Sequence, residues 1–432
     1  MKFLLSLFFS GVLCLQAQPL LRLKDALAIA SKENYDLQAV KNDQLLAQSN
    51  EYYGNAGEQP IYTFVAGDNI QLIGVNQKLA NGNEIIRNGV PSNAFSTQFG
   101  IAYPVFNKFR TKAIKNRISE QSSIARQRTR LESQNLSAQI IQKYYEIIRQ
   151  QKLIKLLQKS FEVSKQRQEL VNNRLAVGLA ANTDLYLAEL DLNARRQELV
   201  NQELALKQSK AALNTILSQP AENEFTVTDS IDVDPGLKFE NLIENARQNP
   251  EIMMAFGQSK VLEWLEKETH SLRLPSARLN GGLAASVSNT TAGFLLQNAS
   301  YGPFVGASVS VPLFNRDIFD KQEQLVAIQR KSTEIRSKSV QNNIEGNLFR
   351  LFQAYRTHLE NMPVESQNME TAKKYLELVL ERYRLNQSNS LELREAQLSF
   401  EQSVYRLVST QYLAKITETE LLRLASMIPV EN

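Results

Sequence analysis

Tyr103-Pro104-Val105-Phe106-Asn107 occurs a second time as Val311-Pro312-Leu313-Phe314-Asn315, 208 residues further along the chain. The same offset relates Gly178 to Asn386 and continues through the residues that follow both of them. A register that is kept over about 100 residues indicates an internal duplication, and this duplication decides how the rest of the sequence is interpreted.

A further echo lies near the start of each half. Asn34-Tyr35-Asp36-Leu37 returns as Asn249-Pro250-Glu251-Ile252, now with an offset of 215, and an insertion in the intervening loops accounts for the difference. We therefore predict a first repeat over residues 18–218 and a second repeat over residues 237–432. Residues 219–236 are acidic, contain proline and show no periodicity, which is typical of a linker.

The N-terminus has the composition of a secretory signal. Lys2 precedes an apolar run from Phe3 to Leu15, and Ala17 provides a small residue for cleavage, so we predict that residues 1–17 are a signal peptide. The run is too short to span a bilayer comfortably, and the alternative is a buried N-terminal helix. No later segment resembles a transmembrane helix, so an exported protein of this kind is soluble, peripheral or spans a membrane as a β-barrel.

Composition and charge argue against several classes of protein. The chain is 43% hydrophobic and 22% charged, which does not indicate disorder, and its net charge of +4 forms no basic stripe for a nucleic acid. The only cysteine, Cys14, lies within the signal, and Leu13 before it favours removal over lipidation. The mature chain would then contain no disulfide and no reactive thiol.

No pattern typical of an enzyme is present. His270 and His358 lie far apart in unrelated contexts, and without a cysteine they indicate neither a zinc site nor a Cys nucleophile. There is no phosphate-binding loop and no dinucleotide fingerprint. We expect no enzymatic activity, no metal site and no cofactor.

Three segments alternate between apolar and small or polar residues, as half-buried strands do. A soluble β-sandwich gives the same pattern, but the helices outnumber the strands so heavily that no partner sheet is available. Each half is predicted to contain two strands, and four strands cannot close a barrel, so they would need strands from other chains. The apolar positions are Phe95, Phe99, Ile101 and Tyr103 in the first repeat, with Leu279, Leu283, Ala285, Val287, Val305, Ala307, Val309 and Val311 in the second.

The helices are unusually long. From Asn107 to Asn173 there is neither Pro nor Gly, which predicts a helix of roughly 100 Å. The second repeat copies it from Asn315, although Pro363 should break or kink the copy. Apolar residues at coiled-coil spacing indicate lateral packing in a bundle or tube; they are Ile140, Tyr144, Ile147, Ile154, Leu157 and Phe161.

Each long helix is followed by a tight turn. Gly178 is placed to end the first helix, Asn182 to cap the next one, and Asp184 to lie favourably in its first turn. In the copy, Asn386 replaces the glycine, Ser390 the cap and Glu392 the acid. Ordinary hairpin turns would explain these residues equally well.

Taken together, these features resemble the TolC-like outer-membrane efflux proteins. The resemblance rests on the duplicated strand-to-helix segments and on the hairpins Arg174–Ala188 and Arg382–Ala396, with Leu391–Gln397 especially similar to the family. It covers residues from about 20 to 428.

The resemblance implies a mainly α fold with a transmembrane β portion. Three chains would form a homotrimer with a 12-stranded β-barrel in outer-membrane lipid, continued by an α-helical tunnel through the periplasm. Such a duct serves tripartite efflux or type I secretion, and its hairpin tips meet a periplasmic adaptor coupled to an inner-membrane pump. The tip residues carried over from the family are Gly178, Asn182, Asp184, Asn386, Ser390 and Glu392.

Family members also close the periplasmic end with acidic residues shortly before the second hairpin. Glu377 and Glu381 lie four residues apart, hence on one helical face, and three copies would ring the pore. A solvated helix face with Lys373 and Lys374 nearby is the alternative.

Two other classes of protein remain open at this stage. A periplasmic adaptor also has long hairpins, but neither repeat leaves room for a compact β-rich domain. A structural coiled-coil protein of the envelope would not need alternating strands. The sequence does not indicate whether drugs, metals, peptides or proteins are exported.

Overall fold

A computed structural model describes residues 19–54, 59–227, 230–313 and 316–429. The predicted signal peptide, with Cys14, lies outside the described residues, as do Phe314 and Asn315 of the second copy of the strand-to-helix segment. The chain divides into two compact units. The hairpin unit comprises Met1–Lys41, Arg128–Ile252 and Val340–Asn432, and the sheet unit comprises Asn42–Gln127 and Met253–Ser339.

The order of elements repeats along the chain. Each half contains a short helix, a second helix, two strands, a helix of 69 residues and a helix of 35 residues. The predicted duplication is thereby confirmed at the level of secondary structure. The elements are α1 (Leu23–Glu33), α2 (Tyr35–Gly54), β1 (Ile61–Lys78), β2 (Glu84–Phe106), α3 (Lys108–Ala176), α4 (Asn182–Ile216), α5 (Phe239–Ala246), α6 (Pro250–Ser271), β3 (Ser276–Thr290), β4 (Gln297–Ser310), α7 (Arg316–Arg384) and α8 (Ser390–Leu424).

Pro363 does not break the second long helix, so the predicted break is wrong, whereas a kink stays a prediction. α7 runs through it without interruption from Arg316 to Arg384. A proline removes one backbone hydrogen bond, and the turns that flank it on both sides supply enough bonds to keep a helix of this length continuous.

The seam predicted along α3 is only partly correct. Ile140, Tyr144 and Ile147 are buried, whereas Ile154, Leu157 and Phe161 are only half-buried. Further along the helix the buried stripe passes instead through Leu153, Leu156, Ser160, Ser164, Arg167 and Val171. The stripe takes this course because α8 presents the polar side chains of Gln397 and Glu401 to Ser160.

The main apolar core of the hairpin unit joins α1, α3 and α4 and includes part of the segment between the repeats. Phe225, Val227 and Ile231 are buried in this core, and the backbone N–H of Leu21 donates to the Thr226 carbonyl at 2.8 Å. The described part of 219–236 therefore packs against the helices although it forms no helix or strand of its own. The repeat boundaries themselves stay predictions.

The sheet unit contains one antiparallel sheet in the order β1-β2-β3-β4. Phe99 pairs with Phe64 on one side and with Leu283 on the other, and Leu283 pairs with Pro303. Because directly paired residues share a face, the apolar positions predicted on β2, β3 and β4 lie on one face and the small or polar positions on the other. The alternation is confirmed, and β1 adds a fourth strand to the three whose alternation was recognised in the sequence.

Among the described residues, no helix is long and apolar enough to cross a membrane.

Candidate functional site

The first hairpin tip is a turn of five residues, 177–181, between α3 and α4. Gly178 has φ +74°, and the N–H groups of Gly178 and Leu179 donate to the carbonyls of Leu175 and Arg174 at 3.0 and 2.7 Å. This pattern is a Schellman motif, and it confirms that Gly178 ends the helix.

The second tip repeats this geometry with a non-glycine residue. Asn386 has φ +61°, and the N–H groups of Asn386 and Gln387 donate to the carbonyls of Tyr383 and Arg382 at 3.2 and 2.7 Å. Asparagine tolerates the left-handed conformation better than most residues, so the motif survives the loss of glycine.

The predicted caps are each displaced by one residue. Asn182 and Ser390 are the first helical residues of α4 and α8, and the N-cap positions belong to Ala181 and Asn389. The Asn389 side chain accepts a hydrogen bond from the Glu392 N–H at 2.8 Å, as a cap should. An asparagine or serine beside the boundary satisfies the sequence pattern equally well, which is why the assignment was wrong.

The two acids have different partners. Asp184 accepts a hydrogen bond from the Ala181 N–H at 3.1 Å and so satisfies a free donor at the start of α4. Glu392 instead accepts from Arg382 Nη1 at 3.0 Å and from Ser388 Oγ at 2.6 Å. Both acids therefore stabilise their own tips, and Gly178 and Asn182 are exposed.

The two tips lie side by side within the hairpin unit. Arg174 donates to the Tyr383 carbonyl, and its guanidinium lies 4.5 Å from the centre of the Tyr383 ring. Behind the tips, a small apolar core joins both hairpins: Val171, Ala188, Leu376, Val379, Tyr383, Leu393 and Ala396. Arg174 and Arg382 were not singled out from the sequence, although the 208-residue offset relates them.

Four large apolar side chains project into solvent at the tips: Val177, Leu179, Leu385 and Leu391. Leu391 is 71% exposed although it lies in the first turn of a helix, and Leu179 is exposed to the same extent. An apolar cluster that is exposed beside a rigid turn is typical of a surface that binds another protein.

Glu377 and Glu381 are exposed on α7. Glu377 lies 3.9 Å from Lys373 Nζ, and Glu381 lies 2.6 Å from Arg384 Nη1. In the single chain each carboxylate thus has a cation on its own helix, as the solvated-face alternative expects. Their role in a pore ring stays a prediction.

The apolar face of the sheet is the second candidate surface. On β4 it carries Ala299, Tyr301, Pro303, Val305, Ala307 and Val309 without a polar residue, and Tyr301 and Val305 are 88% and 90% exposed. Eleven residues is the length of a strand that crosses a bilayer. Asp68 on β1 is a charged residue within this face, and it accepts a hydrogen bond from Asn93 at 3.4 Å.

Residues 27–219 match the family described as outer membrane efflux protein. This match covers most of the first predicted repeat. The matched family is one of efflux proteins rather than enzymes, and it places this chain in the outer membrane. Comparison with curated protein sequences found no match.

Solved structures of outer-membrane channels share the fold of this chain. The Campylobacter jejuni CmeC outer membrane channel is 14% identical with a TM-score of 0.79, over 95% of this chain and 87% of that one. The Vibrio cholerae outer membrane protein VceC is 14% identical with a TM-score of 0.75, over 95% and 97%. The outer-membrane channel OprN is 15% identical with a TM-score of 0.77, over 94% and 90%.

Proposed function

We propose that three copies of this outer membrane efflux protein form the outer-membrane duct of a tripartite efflux or type I secretion system. The observation that carries the proposal is the open four-stranded sheet, which has an exposed apolar face and two unpaired edges on β1 and β4. Unpaired edges are a liability unless another strand covers them. Three sheets joined edge to edge make a closed barrel of twelve strands with its apolar face toward lipid.

The mass of the purified protein in mild detergent tests this proposal. A homotrimer that precipitates when the detergent is removed is the expected result. A monomer that stays in solution without detergent would contradict the barrel and would favour the adaptor or the structural coiled-coil protein considered above.

The hairpin tips are the proposed contact with a periplasmic adaptor, which in turn binds an inner-membrane pump. Support comes from the exposed Leu179 and Leu391, which stand on turns fixed by Schellman motifs and by Arg382. The six residues that the family resemblance assigned to this contact surround these two leucines.

A photocrosslinking residue at Asn182 tests the contact in cells, with the captured protein identified by mass spectrometry. Glu203, an exposed position further along α4, is the matched control. We expect capture of an adaptor from position 182 and not from 203. Equal capture from both positions, or no capture from position 182 in a trimeric protein, would contradict the assignment of the tips as the adaptor contact. Neither result would contradict the proposed barrel.

Glu377 and Glu381 are the proposed periplasmic pore ring. Six carboxylates in one ring would favour cations over anions. Replacing both residues by glutamine should lower the cation selectivity of the channel in a planar bilayer, and unchanged selectivity would support the solvated-face alternative.

A further inference from the structure

The loop between β3 and β4, residues 291–296, folds back over one face of the sheet. The N–H of Phe294 donates to Gln77 Oε1 at 2.8 Å, and the N–H of Thr291 donates to the Pro91 carbonyl at 3.3 Å. Both bonds join the loop to the β1–β2 hairpin, which extends beyond the part of β2 that pairs with β3.

Strand alternation identifies the face that the loop covers. Gln77 and Val75 lie on β1 in alternation with Val65 and Gly67, which belong to the small or polar face. The bulge near Gly74 places its extra residue on β2, so the alternation of β1 continues through it. The loop therefore lies on the face opposite to Tyr301 and Val305.

Burial agrees with this placement. Val75 and Val90 are only 8% and 5% exposed, whereas Val65, on the same strand and face as Val75, is 61% exposed. In the described part of the chain, the loop is the segment that is hydrogen-bonded across this end of the hairpin.

The path of the loop depends on a glycine. Gly293 has φ +127°, a conformation that side chains rarely adopt, and a Cβ atom there would lie 3.2 Å from Gln77 Oε1. Gly293 and Gln77 together therefore determine the path of the loop over the sheet.

The loop carries three consecutive large apolar residues that remain exposed. Phe294, Leu295 and Leu296 are 72%, 60% and 58% exposed in the single chain. They stand at the end of the sheet furthest from the helices that follow β2 and precede β3 in the sequence.

We propose that this loop is a specificity-determining constriction at the outer mouth of the duct. The inference rests on the proposed function, because the small or polar face is the lumen only if three sheets close into a barrel. Three copies of Phe294-Leu295-Leu296 then border one opening. An apolar constriction excludes hydrated ions by dewetting and lets apolar or amphiphilic solutes pass at lower cost.

Single-channel conductance in a planar bilayer tests the constriction. The variant Phe294→Ser, Leu295→Ser, Leu296→Ser should raise the conductance for small ions at least about two-fold, because a polar opening stays wet. Gln77→Ala, which removes the hydrogen bond to the loop, should raise the conductance less and make the current noisier. The matched control is Gln71→Ala, which removes an amide from the same face of β1 and should leave the conductance unchanged.

A loop that lies elsewhere would give a different result. If the parent trimer conducts and the triple serine variant conducts equally, the constriction is refuted and the duct stands. If the parent forms neither a trimer nor a channel, the proposed function fails and this inference fails with it.

Discussion

Asn34 and Asn249 occupy equivalent positions in the two repeats and make equivalent hydrogen bonds. Asn34 Nδ2 donates to the Ile216 carbonyl at 2.8 Å, and its Oδ1 accepts from the Leu37 N–H at 2.8 Å. Asn249 Nδ2 donates to the Leu424 carbonyl and its Oδ1 accepts from the Glu251 N–H, both at 2.8 Å. Each amide therefore caps one helix with its oxygen and bonds the last turn of another helix with its nitrogen.

Replacing either asparagine should destabilise the hairpin unit. We expect Asn249→Ala to lower the free energy of unfolding by about 1–3 kcal/mol, since a cap is lost and the Leu424 carbonyl loses its buried donor. Asn249→Asp keeps the acceptor but not the donor, so it should recover only part of the loss. Asn245→Ala is the control, at a half-buried position four residues earlier where the amide donates to the Asn241 carbonyl of its own helix. Denaturant unfolding measures all three, and an Asn249→Ala protein as stable as the control would contradict the assignment.

Glu401 is a buried acid surrounded by polar groups of α3, α4 and α8. It accepts hydrogen bonds from Ser160 Oγ and from Gln397 Nε2, and Arg195 Nη1 lies 2.9 Å from its carboxylate. Burial raises the pKa of Glu401 above its usual range, and these partners only partly offset the effect. Burial likewise raises the pKa of Glu418, against the opposing influence of Lys415.

The raised pKa values predict that stability falls as the pH rises. When the pKa of an acid is higher in the folded state than in the unfolded state, the folded protein binds more protons at pH values between the two pKa values. The stabilisation from each protonated acid is therefore complete below the unfolded pKa, near 4.5, and is lost as the pH rises through the folded pKa. The double variant Glu401→Gln, Glu418→Gln should show a flatter dependence of the unfolding free energy on pH above 4.5 than the parent. Glu377→Gln, at an exposed carboxylate, should leave the parent's slope unchanged, and a double variant with the parent's slope would contradict the prediction.

At the scale of elements, the long helices were more predictable than their ends. The absence of Pro and Gly after Asn107 was sufficient to predict α3, and the left-handed residues Gly178 and Asn386 fixed where both long helices stop. The caps could not be assigned to one residue, because Asn182 and Ser390 are as suitable by type as the true N-cap Asn389. The buried stripe after residue 150 could not be predicted either, since polar residues such as Ser160 are buried only where a polar partner faces them.

Pro363 allows a test of how much one proline within a helix lowers the free energy of unfolding. The proline leaves the Leu359 carbonyl without its helical donor in a helix that is otherwise continuous. Pro363→Ala should therefore raise the free energy of unfolding, by up to about 3 kcal/mol. Val364→Ala, on the next residue and exposed, should change it by less than about 0.5 kcal/mol. A Pro363→Ala protein less stable than the parent would show that the proline itself is needed, for instance to bend the helix.

At the scale of the whole molecule, the alternation of β2, β3 and β4 predicted one apolar face but not its extent. The apolar stretch of eleven residues on β4, 299–309, could be recognised only from the strand pairing. Tyr301 and Pro303 precede the part of β4 whose alternation is regular in the sequence. The contact between the two tips through Arg174 and Tyr383 was equally hidden, since an arginine and a tyrosine 209 residues apart give no local signal. Assembly therefore has to be tested where copies would meet, at the free edges of the sheet.

The outer edge of β4 is the place where a second copy should pair. In an antiparallel strand the N–H and C=O groups of alternate residues point to the same side. Pro303 has no N–H, and prolines within sheets occupy edge positions that face away from the ladder. Val305, two residues further along β4, therefore also directs its N–H to the free edge.

Val305→Pro should leave the sheet of each chain intact and remove one backbone hydrogen bond, worth about 0.5–1.5 kcal/mol, from each of the three interfaces. Val305→Ala shortens the same side chain but keeps the N–H, so it is the matched control. We expect the fraction of trimer that survives heating in detergent to fall for Val305→Pro and to stay near the parent for Val305→Ala. Equal losses in both variants would assign the effect to the side chain on the lipid face, and no loss in either would show that the copies do not pair along β4.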